Sequence, residues 1–326
     1  MVRYTEERMQ TLTPHLKRLS RPDNPRAFRL TDRDLEILRT VARFRFMTSE
    51  QVVRYLTMSE PSTSGDNVLR RLQFLFYHSY LDRPQHQHLQ LSSFSHLVYA
   101  LGREGARAIA NSSSHVNPHL EWSLKNARAT TPHIIHTLET TEAMLHVERA
   151  CREHGGVGLL DHHELVPYFP APTRELADPF RLRVTIQHDG QSVALNAIPD
   201  RLMSLVLPDE RRHNLCIEID RATMSVAARR LSGKSSFGRK IRAYFAAWEQ
   251  DRHREQWGFQ GFRVLTVTPS ESRIKGMLTV QRRITSNRAA AMFLYTTPQR
   301  LAEHGALAPV WISADSDGQR LLQETI

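Results

Sequence analysis

Four residues have the types and the spacing that phosphodiester chemistry needs: Asp200, Glu218, Asp220 and Lys240. Asp200 closes the run Ile198-Pro199-Asp200, and Glu218 and Asp220 sit in Leu215-Cys216-Ile217-Glu218-Ile219-Asp220. An acid at the end of an apolar strand is costly to bury unless a metal ion or a cation pairs with it. Glu218 and Asp220 are two residues apart, so on one strand both are expected to point to the same face. Hard carboxylate oxygens suit Mg2+ or Mn2+, which makes Asp200, Glu218 and Asp220 the candidate metal ligands. Lys240, in Lys240-Ile241-Arg242-Ala243-Tyr244, is the candidate for orienting a nucleophile and neutralising charge on the scissile phosphate. The competing account of the acids is plain ion pairing, since Arg201 and Arg221 directly follow Asp200 and Asp220.

The elements around these groups must position them. Residues 180–186 and 193–198 alternate as a hairpin, with Asp189-Gly190 as the turn. Strands are expected over 202–207 and 215–219. From Arg221 to Trp248 there are seven basic residues and no acid. Gly and Ser over 232–238 break this run into two helical pieces; the second, Arg239–Trp248, has Ile241, Tyr244, Phe245 and Trp248 on one face. Arg229, Arg230, Lys234 and Arg239 are candidates for holding phosphate, Arg being suited to it by its forked guanidinium. A strand over 261–267, a helix over 271–284 and a last strand over 290–295 follow, and the rest reads as a short tail. Upstream, His133–His154 is a helix ended by Gly155-Gly156. His133 and His136 could share a metal, but without an HExxH pattern a satisfied polar contact is the better account. Glu164, in Asp161-His162-His163-Glu164, is a further candidate for the edge of the Asp200 site.

The first third of the chain has a different organisation. Thr31-Asp32-Arg33-Asp34 and Thr48-Ser49-Glu50-Gln51 read as helix caps, and a third helix is expected from Asp66 to His78. Strands over 89–91 and 97–101 follow, joined by polar residues, and a last helix ends near Ile109. Three helices and a hairpin are the order of a winged helix, with the helix from Asp66 as the reader and Ser92–His96 as the wing. That places Ser64, Asn67, Arg70 and Arg71 against DNA. Winged helices used for protein contacts have the same order. The expected organisation is a basic arm over 1–26, a winged-helix domain over 27–111, a linker over 112–132 anchored by Leu120–Leu124, and a second domain over 133–326.

The chain has 326 residues and a formal net charge of +10. The charge is uneven: residues 1–125 have 18 Lys and Arg against 12 Asp and Glu, residues 126–200 have 6 against 10, and residues 201–300 have 19 against 8. Two basic blocks of this size point to nucleic acid. The two cysteines, Cys151 and Cys216, have no zinc spacing and exclude a disulfide framework. No apolar run is long enough to span a membrane, and the N-terminus lacks a secretory apolar core, so the cytoplasm is the expected location.

Pro199-Asp200 with Glu218-Ile219-Asp220 resembles the PD-(D/E)xK nuclease pattern. Asp220 stands where that pattern usually has Lys, and Lys240 resembles the displaced lysines of the same fold. The winged helix, the strand ending in Glu218-Ile219-Asp220-Arg221 and the helix Lys240–Tyr244 together resemble the replication-relaxation family of mobile elements, over most of residues 27–297. The resemblance implies kinship with relaxases of the MOBC class, which nick plasmid transfer origins. It implies an α+β fold, with an N-terminal winged helix-turn-helix and then a restriction-endonuclease-like mixed sheet flanked by helices. It further implies double-stranded DNA and other plasmid-transfer or replication proteins as partners, with Mg2+- or Mn2+-dependent nicking at a specific site. The Asp220 departure keeps open the alternative, a non-catalytic DNA-binding accessory protein or transcriptional regulator with a degenerate nuclease fold. A relaxase of the His-hydrophobe-His type is a poor fit, because His86-Gln87-His88 is the one HxH and its middle residue is polar.

Overall fold

The computed structural model describes residues 19–84, 87, 96–112, 126, 128–226, 236–285, 289–319 and 321. The chain divides into two units, Met1–Glu142 and Ala143–Ile326.

Side-chain caps start the helices of the first unit. Helix α1 (Asp32–Phe44) begins with a capping box between Thr31 and Asp34. A second box, between Thr48 and Gln51, precedes α2 (Ser49–Ser59). Helix α3 (Gly65–Tyr77) is capped by Ser64, whose hydroxyl accepts the Asn67 N–H. Each cap satisfies backbone donors that a helix start leaves unpaired. Apolar residues at helical spacing (Ile37, Leu38, Val41, Val52, Leu56, Val68, Leu72 and Leu75) are buried. Between the helices lies a small antiparallel sheet of β1 (Met47–Thr48), β2 (Leu81–Asp82) and β3 (Val98–Leu101), in the order β1-β3-β2. Strand β2 is too short for alternation to reveal it in the sequence. Helix α4 (Arg103–Ser112) follows Gly102, where a Cβ would collide with the Ser79 carbonyl oxygen, so only glycine permits this approach. Ile134 and Leu138, from the first half of α5 (Thr131–His154), pack with Phe46, Val98 and Ala100. The expected strand at 89–91, the wing residues 92–95, His86, His88, the 120–124 anchor and most of the basic arm lie outside the described residues.

The second unit is built on one mixed sheet. Its strands are β4 (Gly158–Leu160), β7 (Arg201–Val206), β8 (Arg212–Ile219), β9 (Arg263–Val267), β10 (Phe293–Thr296), β11 (Trp311–Ile312) and β12 (Asp317–Gln319). They are ordered β12-β11-β10-β9-β8-β7-β4. Strands β8, β9 and β10 run parallel, and the other neighbours are antiparallel. A separate hairpin, β5 (Leu182–His188) with β6 (Gln191–Ala197), turns at Asp189 and Gly190, both with positive φ, as a right-twisted two-residue turn requires. Short helices α6 (His162–Leu165) and α7 (Ala171–Arg174) precede the hairpin. Helix α8 (Phe237–Glu249) buries Ile241, Tyr244 and Phe245 as its apolar spacing predicts. Helices α9 (Arg252–Trp257) and α10 (Glu271–Thr285) flank strand β9 in the chain. Ile241, Tyr244, Trp257, Val264, Met277 and Tyr295 belong to one core that also takes Leu182 and Leu195 from the hairpin.

The fold is α+β, with helices beside a mixed sheet, as expected. Three local expectations are corrected. The last strand begins at Phe293, because Ala290–Met292 form a 3-10 turn. The supposed tail contains helix α11 (Pro298–His304) and the edge strands β11 and β12. The first helical piece expected after Arg221 is not helical over 221–226, and 227–235 are not described. Among the described residues, no helix is long and apolar enough to cross a membrane.

Candidate acidic site and nucleic-acid interface

Strand pairing carries the three candidate acids of the second unit to one end of the sheet. Arg201, the first residue of β7, is opposite Ile217 near the end of β8. The parallel partner β9 ends level with it, with Glu218 opposite Thr266 and Ile219 opposite Val267. Asp200, just before β7, is thereby held against the last residues of β8: its N–H donates to the Ile217 carbonyl at 3.0 Å, and its Oδ2 accepts the Ile219 N–H at 2.8 Å. The α8 N-cap, Ser236, starts a helix whose first turns deliver Lys240 and Tyr244 to the same place.

Glu218 is 1 % exposed and both of its oxygens are engaged. Oε2 accepts from Lys240 Nζ, and Oε1 accepts from the Tyr244 hydroxyl at 2.5 Å. Burial raises the Glu218 carboxyl to about 7, with the Asp200 carboxylate adding to the rise while Lys240 and Tyr244 oppose it. Burial alone would lower Lys240; the carboxylates of Glu218 and Asp200 outweigh it and hold the ammonium charged well above the ordinary range. Tyr244, fully buried, has its hydroxyl pushed up by burial first and by Glu218 second.

Asp220 takes a different set of partners. Arg273, from α10, forks onto it: Nε donates to Oδ2, and Nη2 donates to Oδ1 at 2.7 Å. The Thr268 hydroxyl also donates to Oδ2 at 2.7 Å. Arg273 Nη2 reaches on to the Met224 carbonyl at 2.7 Å. The Asp220 hydrogen bond and then its charge raise the Arg273 guanidinium further. Ion pairing is therefore present, though with Arg273 rather than the adjacent Arg221; Arg201 lies 3.6 Å from Asp161.

The donors expected to hold Mg2+ or Mn2+ are thus occupied by the chain itself. Glu218 has a cation and a hydroxyl, and Asp220 has a forked cation and a hydroxyl. Among the described residues, no three His, Cys, Asp or Glu side chains are grouped so as to hold a metal ion. In this arrangement a divalent cation would have to displace Lys240 from Glu218 and Arg273 from Asp220. Glu164 Oε2 accepts the Asp161 N–H in the α6 capping box. His133 pairs with Arg45 at 2.7 Å, the satisfied polar contact expected of it.

In the first unit, α3 gives its two arginines different surroundings. Ser64 is the cap, and Asn67, Leu69, Arg70 and Gln73 face solvent. Arg70 Nη2 donates to Asn67 Oδ1 at 2.9 Å, setting the two polar groups side by side. Arg71 turns inward: its Nε donates to Asp34 Oδ1 at 2.8 Å, its Nη2 reaches Asp34 Oδ2 and the Arg29 carbonyl, and its guanidinium lies 4.3 Å from the Phe28 ring centre. Asp34 is fully buried, so Arg71 is held as its counter-ion. Of the basic residues expected to hold phosphate in the second unit, Arg239 is half-buried, with Nη2 3.5 Å from the Ala194 carbonyl. Arg229, Arg230 and Lys234 lie outside the described residues. The partners missed from sequence are Arg273, Thr268 and Tyr244. Tyr244 was visible as an apolar-face residue of its helix, whereas nothing local marks Arg273, which is 53 residues from Asp220.

Residues 38–261 match the family model described as replication-relaxation. No curated protein and no solved structure shows a significant match.

Proposed function

The chain belongs to the replication-relaxation family, whose theme is plasmid and mobile-element replication or relaxation, and we propose that it acts there as a DNA-binding protein that holds double-stranded DNA without cutting it. The observation that carries this reading is how the chain uses its cations. Lys240 and Arg273 neutralise the buried acids of the sheet end, and Arg71 neutralises Asp34. Arg70 and Asn67 stand exposed on one face of α3. An Arg beside an Asn on an exposed helix face matches the base-edge chemistry of the major groove, where Arg suits guanine and Asn suits adenine. The helix order of the first unit supports a winged-helix reader, and the two basic blocks supply phosphate affinity. Other replication or transfer proteins are expected to share the DNA.

The second reading, nicking dependent on Mg2+ or Mn2+, is favoured by the convergence of Asp200, Glu218 and Lys240 at one sheet end, the arrangement of a PD-(D/E)xK-like fold. One assay separates the two. Supercoiled plasmid bearing the element's own origin region is incubated with the protein in Mg2+ and in Mn2+. The expected outcome is a retarded plasmid that stays supercoiled. Open-circular product that disappears in Asp200→Ala would overturn the non-cutting reading.

A further inference from the structure

The first unit contains a cavity of about 350 Å3 that the proposed duplex reader does not use. It lies between the exposed face of α3 and strand β3, and is lined by Leu69, Gln73, Tyr77, Arg83, Leu97 and Tyr99, with Ser49 beside them. Leu69, Leu97 and the rings of Tyr77 and Tyr99 give it apolar wall, and Ser49, Gln73, Arg83 and the two tyrosine hydroxyls give it polar groups. Gln73 Nε2 donates to the Tyr77 hydroxyl at 2.6 Å, which sets an amide and a phenol together on the α3 side. Arg83 forms the buried side. Its Nη2 donates to the Tyr99 hydroxyl at 2.8 Å, and its guanidinium lies 4.1 Å from the Phe76 ring centre and 5.0 Å from that of Tyr99. The cation is thus stacked among aromatic rings rather than presented as an open phosphate fork. Leu69, at the mouth, is 44 % exposed, unusual for a leucine on an otherwise polar helix face.

From this cavity we infer that the first unit takes an unpaired nucleobase, so that its DNA ligand includes a single-stranded or extruded nucleotide beside the duplex. Cavities of roughly 300–1,000 Å3 with aromatic walls and a few convergent polar groups are the usual form of a small-ligand site. Unpaired bases are held by stacking on Tyr and Arg planes while side-chain amides and hydroxyls meet their polar edges. A phosphate would need several donors directed at one point, and here Arg83 Nη2 donates to Tyr99 and the guanidinium lies over two rings. The position matters too: Gln73 is about one turn along α3 from Arg70 and less than two from Asn67, so a base in the cavity would be continuous with DNA lying on that helix.

The inference rests on the DNA-binding reading, and its test must tell the two failures apart. Fluorescence anisotropy of the full chain is measured on a 20-base-pair duplex, on the same duplex with one central unpaired thymine, and on a single strand of equal length. The unpaired base should tighten binding, and Tyr77→Ala should remove that gain, a loss of about 5–150-fold given the usual strength of base stacking, while the perfect duplex is bound as before. Gln73→Leu, which adds no charge to the exposed face of α3, should also weaken the unpaired-base ligand selectively. With 2-aminopurine as the unpaired base, binding should change its fluorescence in the wild type and not in Tyr77→Ala. Competition by thymidine at high concentration, with none by inorganic phosphate, would assign the affinity to the base. Equal binding of all three DNAs, or equal losses on duplex and unpaired ligand, would overturn the base pocket and leave the duplex reader standing. No binding to any of the three would overturn both.

Discussion

Asp220, one of the acids expected to hold a metal, is met by Arg273. The pair is buried, forked and reinforced by Thr268. Removing one partner of such a pair leaves an uncompensated charge, at a cost of about 3–5 kcal/mol, while removing both costs much less. Urea unfolding of Arg273→Ala, Asp220→Ala and the double variant should therefore show strong non-additivity. Glu218 leads to a pH prediction. Its carboxyl is raised from 4.5 to about 7 in the fold, so between those values the folded chain retains a proton that the unfolded chain has lost. Its contribution to stability is full below about 4.5 and is lost as pH rises through about 7. Thermal midpoints across this interval should fall with rising pH, and fall less in Glu218→Gln. An identical slope in both proteins would mean that Glu218 is ionised throughout.

At the scale of the element, α3 makes the sharpest prediction. Arg70→Ala should weaken duplex binding by about 1–3 kcal/mol, since it removes the exposed cation proposed to read a base edge, and leave the thermal midpoint unchanged. Arg71→Ala should lower the midpoint by several degrees, because Asp34 is then buried without its counter-ion. Circular dichroism melting beside anisotropy separates the two variants. Adjacent arginines on one helix are alike in sequence, and only the turn of the helix decides which faces inward. That is the general limit on what the chain reveals before it is folded. Caps at Thr31 and Thr48, the Asp189-Gly190 hairpin and the apolar face of α8 were legible because each is a local pattern. The Asp200, Glu218 and Lys240 convergence was legible because strand ends were marked by acids. Strands of two or three residues such as β2, β4 and β11 were not, since alternation needs more residues to show. The expectation that Glu218 and Asp220 serve one site also failed to foresee their partners. Glu218 is met by α8 and Asp220 by α10, and both pairings join positions far apart in sequence.

For the whole molecule the prediction concerns salt. Residues 1–125 and 201–300 together hold 37 of the 44 Lys and Arg, so attraction to phosphate should dominate affinity. The logarithm of the duplex association constant should fall linearly and steeply with the logarithm of salt concentration. A flat dependence would remove nucleic acid as the reason for the charge. Substituting Arg229, Arg230 and Lys234 by Gln should reduce the slope by about one for each phosphate that is no longer neutralised, without changing which duplex is preferred.

Arg273 also restricts how this chain could have changed over time. It pairs with Asp220, which stands where the PD-(D/E)xK pattern has a lysine. An Asp220→Lys exchange made alone would set an ammonium against a guanidinium in a buried place. Any lineage in which the lysine persists should therefore have lost the arginine first. Across relatives, the two positions should be inherited as a matched set, either acid with arginine or lysine without it, and mixed combinations should be missing.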